Sequence, residues 1–342
     1  MSGVNFVYCS LAFFITALVI PLLIRISHKK GWYDQIDERK IHDGDIPRLG
    51  GVGIFFGFAL TILAFILFNK RFRLNAKSVQ FIVFIIGAIT IHIVGLLDDF
   101  KSIRARYKAF IQCLIAIMLI AVDIRIDHVQ IPFTKIYIDY LPLMCILSFI
   151  WFVGVFNTIN LIDGLDGLSS VISGLAAVGL SWHFYRNGLY LYALISAMVY
   201  FSTLGFLVYN KPKAKIFMGD SGSLFLGYVL AVLPFMTMRS NSEPVLGISI
   251  TILLIPITDT LFAMSRRIYR GIKFSVPDKE HLHHMLLDFD LSNKEILILI
   301  ALINIFLITA TIWFPSLLPI IWLLSLIGIY ILHRCWKEKA KL

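Results

Sequence analysis

Residues 157–168 read NTINLIDGLDGL: two carboxylates, two asparagines and two glycines placed directly after the apolar run Leu143–Phe156 and before the apolar run Leu168–Leu180. Neither run carries an ionisable group. Apolar, polar, apolar at these lengths describes two membrane helices joined by a short turn, so Asp163 and Asp166 stand at a membrane boundary. Ionisable residues at membrane depth cost several kcal/mol unless they face a cavity, a metal or a partner, which makes a functional site the default reading of this turn. Gly164 and Gly167 permit positive φ and close approach of backbone to a ligand.

The rest of the chain extends the pattern. Of 342 residues, 58% are hydrophobic and 15% charged, with 28 Phe, and the mean hydropathy is +0.84. Soluble domains do not need that composition. Unbroken runs such as Phe81–Leu97 and Val245–Ile257 favour helices over the alternating ten-residue segments of a membrane barrel. The expected fold is therefore an all-α, polytopic integral membrane protein. Its first run, Val4–Ile24, lacks a basic segment before it and a small-residue cleavage site after it, and reads as a retained helix. Cys9, Cys113, Cys145 and Cys335 stand apart in mostly apolar surroundings, so neither a zinc cage nor a disulfide framework is expected. The net charge of +10 is read as topology and lipid contact, and nucleic-acid binding is not expected.

Eleven spans are expected, near 4–24, 49–68, 79–97, 107–122, 143–159, 168–185, 189–208, 221–237, 245–263, 295–314 and 316–333. They sort the loops into two faces. One face holds only Lys70, Arg71, Arg73, Lys77, Arg125, Lys135, Arg186 and Arg239, eight of the 31 Lys and Arg, and the positive-inside rule makes the other face cytoplasmic. The N-terminus then lies outside and the C-terminus inside, although NKRFRLNAKS at 69–78 is a local exception. On the external side, VQIPF and KIYIDY around a break suggest a short hairpin over the bundle. Parity carries more weight than charge: Asp98 and Asp99, Asp163 and Asp166, Asp220, and HLHH at 281–284 each follow an odd-numbered span. All of them share one face whichever way the chain is oriented.

The clusters suit phosphate chemistry. GLLDDF at 95–100 places two adjacent carboxylates at a helix end, followed by Lys101, Arg104, Arg106 and Lys108; such a pair favours a metal, a shared proton or nearby cations. FMGDSGS at 217–223 sets Asp220 at the start of a helix, where backbone N–H groups favour phosphate and a carboxylate favours a hard cation bridging to it. The plainer reading is that Asp220 or Ser221 caps the helix. HLHH lacks the spacing of a zinc helix motif and fits contact with phosphate or sugar better. IHDGDIPRLGG at 41–51 could approach a ligand closely, while His92 and His183, set within apolar runs, read as bundle residues. Five Asp on one face with Lys and Arg beside them describe a Mg²⁺–phosphate site, and phosphoryl transfer needs little more. The reading from another class is an ion-coupled secondary transporter, but its carboxylates would sit near the bilayer midplane on broken helices.

PRLGG at 47–51, GLLDDF, NTINLIDGLDGL, FMGDSGS and HLHH, in this order and spacing, resemble the polyprenyl-phosphate N-acetylhexosamine-1-phosphate transferases from about residue 20 to 290. The resemblance implies one membrane-embedded transferase domain over 1–342, with cytoplasmic active-site loops near 25–48, 98–108, 160–167, 209–220 and 264–294. It implies a bacterial cell-membrane enzyme that moves GlcNAc-1-phosphate from UDP-GlcNAc to undecaprenyl phosphate and releases UMP, starting O-antigen, common antigen or teichoic acid synthesis. Other donors of the branch are UDP-FucNAc and UDP-QuiNAc. The UDP-MurNAc-pentapeptide branch fits less well, since Ser102 stands where its lysine would be and Leu282 interrupts its three histidines. Mg²⁺ is implied as cofactor, with Mn²⁺ as substitute, and a homodimer is compatible with the family.

Residue by residue, the resemblance makes Asp98 and Asp99 the paired catalytic aspartates, one of them the base for the lipid phosphate, and Lys108 the lysine that holds phosphate. Asn160 and Asp220 match metal ligands, with Asp163 close to the metal. Asp166, Asn210, Phe217 and Gly219 match the nucleotide-sugar pocket, Phe217 beside the uracil. Arg267, His281, His283 and His284 match the loop that holds sugar and diphosphate, and Lys40 and His42 match the first cytoplasmic loop.

Overall fold

The computed structural model of the protein describes residues 3–33, 45–69, 78–134, 136–237, 245–271 and 280–339. Its helices are α1 (Gly3–Lys30), α2 (Gly50–Phe68), α3 (Val79–Lys101), α4 (Ala105–Ala121), α5 (Leu141–Ile162), α6 (Leu168–Arg186), α7 (Tyr190–Asn210), α8 (Gly219–Val232), α9 (Val245–Ile252), α10 (Leu254–Tyr269), α11 (Leu282–Asp288), α12 (Asn293–Trp313) and α13 (Leu318–Lys339). The only sheet among the described residues is the hairpin β1 (Val129–Gln130) antiparallel to β2 (Tyr137–Ile138), with Val129 opposite Ile138.

The protein is an all-α polytopic membrane protein. Eight described helices are long and apolar enough to cross a membrane, or nine if α9 and α10, bent by 76° at their junction, are one span. The sequence predicts eleven, and the two further positions are filled by α4 and α6. With 17 residues, α4 reaches about 25 Å, less than a hydrocarbon core of about 30 Å. In α6, Ser169, Ser170 and Ser173 are buried inside the bundle, where neighbouring helices rather than lipid surround the polar groups.

The axis of the bundle is α8, whose span Gly219–Met236 is entirely buried and packs against α2, α3, α5 and α6. Around it lie the largest buried side chains, including Phe58, Phe84, Phe156, Phe225 and Tyr228. The Tyr228 hydroxyl donates to the Phe84 carbonyl at 2.9 Å, as a buried phenol must find a partner. By contrast α12 and α13 expose Ile298, Leu302, Phe306, Leu323 and Leu324, the apolar face that a helix turns toward lipid. Because α8 is central, its N-terminal end lies at the middle of one face of the bundle.

Candidate active site

Two backbone approaches build that end. The PRLGG segment runs beside FMGD: Phe217 N–H donates to the Pro47 carbonyl at 2.8 Å, Gly50 N–H to Phe217 at 2.9 Å and Gly51 N–H to Met218 at 2.7 Å. A Cβ on Gly51 would lie 2.1 Å from the Gly222 nitrogen, so only glycine allows α2 this close to α8. Gly219 has φ +72°, and a Cβ there would meet the Arg48 carbonyl and the Asp99 carboxylate.

The helix cap differs from the sequence expectation. No side chain of its own caps α8; instead Asp99 accepts from the Asp220 N–H at 2.7 Å and the Ser221 N–H at 3.0 Å. A carboxylate there satisfies two orphan donors and complements the helix dipole. The adjacent carboxylates of GLLDDF therefore have different surroundings. The Asp99 side chain is 1% exposed and both its oxygens serve α8. Asp98, 11% exposed, accepts from the Ile103 N–H at 2.6 Å and from Lys108 Nζ at 2.8 Å, where α3 ends on Ser102 in the left-handed region (φ 47°).

Asp220 is the hub. Arg48 Nη2 lies 2.6 Å from its Oδ1 and Lys108 Nζ 2.9 Å from its Oδ2. Arg48 Nε is also 3.3 Å from Asp99, so three aspartates and two cations form one continuous network. Behind it, His92 is stacked on Phe55 with ring centroids 4.0 Å apart, and its Nδ1 lies 3.0 Å from the Ser221 carbonyl. That makes His92 a bundle residue, as its apolar context predicts.

The NTINLIDGLDGL turn supplies the next wall. Asn157 and Gln112 exchange amide hydrogen bonds at 2.7 and 3.1 Å, fixing α5 against α4 one turn beyond Lys108. Asn160 Nδ2 donates to Ser223 Oγ at 2.9 Å, and Asp163 accepts from the Ser169 hydroxyl. Desolvation pushes the half-buried Asp163 carboxyl up to about 6, against the opposing pull of Ser169 and Arg48. Asp166 and Asn210, expected to line the nucleotide pocket, are both committed to the framework. Asp166 accepts from the Lys213 and Ala214 N–H groups at 3.1 and 3.0 Å. The buried Asn210 accepts from Gly167 N–H and donates to the Ile216 carbonyl, both at 3.0 Å. Phe217 is half-buried beside them.

Among the described residues no three His, Cys, Asp or Glu converge as a metal cage. Mg²⁺ needs less than a cage, because it takes one or two carboxylates and fills its shell with phosphate oxygens and water. Asp220, Asp163 and Asn160, each tied to its own neighbour, Arg48, Ser169 and Ser223 respectively, offer hard oxygens of the kind that demand calls for.

The histidine loop closes the site from α10 and α11. His283 is buried, and a Cβ on Gly164 would fall 2.4 Å from its Nε2, so the loop abuts the Asp163–Asp166 turn. Burial, reinforced by His284, pushes the His283 imidazole down to about 3. Its ring is 4.3 Å from that of His284 and parallel to that of His281. Arg267 is buried in the last turn of α10. Lys40 and His42 lie outside the described residues.

Two residues of this constellation escaped the sequence assignments. Arg48 belongs to a segment read as able to approach a ligand and to the PRLGG motif, but it was given no role of its own. Asp259, buried in α10 and 2.7 Å from His281 Nδ1, is an ionisable residue in an apolar run, which could have marked it.

The carboxylates and cations of this all-helical membrane protein meet at one end of a central helix, an arrangement suited to binding phosphate-linked groups. Comparison with known proteins supplies the class. Residues 81–238 match the model of glycosyl transferase family 4. A Bacillus subtilis protein named as a probable undecaprenyl-phosphate N-acetylglucosaminyl 1-phosphate transferase is 38% identical over 311 residues, covering 87% of this chain and 84% of its own. The undecaprenyl-phosphate alpha-N-acetylglucosaminyl 1-phosphate transferases of Haemophilus influenzae and Yersinia pestis are 31% and 26% identical, over 85% and 81% of this chain and 82% and 75% of theirs. The chain belongs to glycosyl transferase family 4 and is a sugar-phosphate transferase.

Proposed function

We propose that the protein transfers GlcNAc-1-phosphate from UDP-GlcNAc to undecaprenyl phosphate at the cytoplasmic face of a bacterial cell membrane, with Mg²⁺ as cofactor. An oxygen of the lipid phosphate attacks the sugar-bearing phosphorus of the donor, the bond from that phosphorus to the bridging oxygen of UMP breaks, and UMP leaves with the electron pair. Undecaprenyl-diphospho-GlcNAc is the product. The observation that carries this reading is the linked set Asp98, Lys108, Asp220 and Arg48, which holds a partly accessible carboxylate, Asp98, beside two cations at a buried helix end.

Each residue then has a role. Asp98, the more accessible of the pair, takes the proton of the acceptor phosphate. Lys108 and Arg48 hold phosphate oxygens and offset their charge as the transition state spreads it. Asp99 keeps the α8 terminus and Asp220 in place. Asp220, with Asp163 and Asn160, would hold Mg²⁺, which when bound neutralises diphosphate charge. The histidine loop with Arg267 takes the sugar and diphosphate, and the charge asymmetry of the loops supports an inside position for this face. The donor and acceptor follow the names of the relatives. The test is purified protein with labelled UDP-GlcNAc, undecaprenyl phosphate and Mg²⁺: lipid-linked GlcNAc and equimolar UMP are expected. Turnover of UDP-FucNAc or UDP-QuiNAc with none of UDP-GlcNAc would overturn the donor, and no product from any UDP-sugar would overturn the reaction.

A further inference from the structure

The segment that starts α11 is fastened to α10 by polar contacts. Arg266 Nη2 donates to the Glu280 carbonyl at 2.8 Å, Arg270 pairs with the Glu280 carboxylate at 2.6 Å, and both oxygens of Asp259 are used two residues further on. Asp259 Oδ2 is 2.7 Å from His281 Nδ1, and Oδ1 accepts from the Leu282 N–H at 2.8 Å. Asp259 and Arg266 are seven residues apart, two helical turns, so one face of α10 makes all these contacts.

Asp259 is 2% exposed and His281 5%. A carboxylate that deep is expensive unless its partners satisfy it, and here every partner belongs to the histidine loop. Leu282, Met285 and Leu286 are buried in the core, yet Leu282 and Leu286 also line an apolar cavity of 360 Å³ with Leu254, Ile255 and Ile300. The polar contact adds the directional constraint that apolar packing lacks. An ionised carboxylate only accepts, so the proton of His281 must sit on Nδ1. Nε2, which makes no hydrogen bond among the described residues, is then the nitrogen left for a ligand.

We propose that Asp259 is a positioning residue for the transfer reaction, fixing the His281 proton on Nδ1 and the first turn of α11 so that Nε2 meets the diphosphate-sugar of the nucleotide donor. This rests on the reading of the histidine loop as the donor site. Asp259→Asn separates position from folding, since its Oδ1 still accepts from Leu282 N–H while its amide now donates toward His281 Nδ1 and forces the proton to Nε2.

The experiment uses full-length protein in lipid nanodiscs, labelled with ¹⁵N-histidine, with His281→Ala identifying the His281 signals. The expected result is an Nδ1-protonated His281 in the wild type and an Nε2-protonated one in Asp259→Asn. With it comes a fall of about tenfold to a hundredfold in kcat/KM for UDP-GlcNAc, the range for losing a partner that orients a histidine, with KM for undecaprenyl phosphate unchanged. Asp259→Asn in the His281→Ala background should add nothing, and Asp259→Glu should restore part of the loss. The same tautomer in both proteins, or an equal further loss without the His281 ring, would overturn the proposal. A normal donor KM in His281→Ala, with the tautomer switch present, would instead overturn the donor reading of the loop.

Discussion

The two polar regions on either side of the α5–α6 turn are built in opposite ways. Around α8, Asp98, Asp99 and Asp220 have each found a lysine, an arginine or backbone N–H groups, and glycines lock the supporting backbones together. Around α10, the buried Nδ1 and Nε2 of His283 and Nε of Arg267 have no hydrogen-bond partner among the described residues. A buried donor or acceptor without a partner costs about 1–3 kcal/mol. The α8 region thus pairs its charged groups among themselves, whereas the α10 region, beside its own pairs Asp259–His281 and Arg270–Glu280, also keeps charged and imidazole nitrogens that a ligand rich in oxygen would satisfy. Fixed electrostatics belong where charge moves during transfer, and spare capacity belongs where a substrate must be recognised.

The comparison breaks most directly at Asp220. Asp220→Asn should abolish turnover, because Arg48 and Lys108 lose their shared counter-charge at the centre of the network, while the helix and its cap from Asp99 remain. EDTA should abolish wild-type turnover as well, with recovery on adding Mg²⁺ or Mn²⁺. Full activity of either the variant or the wild type in EDTA would remove Asp220 from the metal assignment.

Next is the unequal pair. Asp98→Asn should lower turnover by orders of magnitude and leave UDP-sugar affinity and melting temperature near the wild type. Asp99→Asn turns an amide N–H toward one of the two N–H groups its carboxylate now accepts, leaving a buried donor unpaired at about 1–3 kcal/mol. That variant should lose thermal stability along with activity. A stable Asp99→Asn and an unstable Asp98→Asn would reverse the roles.

Legibility in the sequence follows the same division. Spans, hairpin and the gathering of clusters on one face were readable because hydropathy and parity are local and cumulative. Asp98, Asp99, Lys108 and Asp220, singled out from separate motifs, are brought into one network by the fold. What could not be read was which partner each carboxylate takes: Asp99 caps a helix 120 residues away, and Arg48 and Asp259 act through contacts that no local pattern encodes. The span count differed because burial by neighbours lets α6 be polar and α4 be short, and sequence alone cannot tell a helix wrapped in protein from one wrapped in lipid.

In the α10 region the expected effects are smaller. Arg267→Ala removes a charge-assisted contact of roughly 1.5–3 kcal/mol, a loss of about tenfold to a hundredfold in kcat/KM for UDP-GlcNAc, and His283→Ala should act in the same sense. Both should spare KM for undecaprenyl phosphate. Kinetics with each substrate varied decides it, since a rise confined to the lipid would give the loop the other substrate.

The smallest effect is on pH and sharpens the contrast without activity. His283 titrates at about 3 in the folded protein, against an ordinary 6.5, because burial penalises its charged form. Folding therefore gains from the neutral ring above pH 6.5, and the gain is lost as pH falls from 6.5 toward 3, where the unfolded chain binds a proton that the folded one refuses. Asp163 works in the other direction. Its carboxyl is raised from 3.8 to about 6, so the stability it contributes is complete below 3.8 and is lost as pH rises through 6. Melting temperatures in EDTA between pH 7 and pH 4 should thus decline less than His283 alone dictates. Asp163→Asn removes the opposing contribution and should steepen the decline, while His283→Gln should flatten it, each by roughly a few degrees. Identical pH slopes for wild type and His283→Gln would mean that the imidazole binds its proton equally in the folded and unfolded protein, and burial would then not be withholding the charged form of this ring.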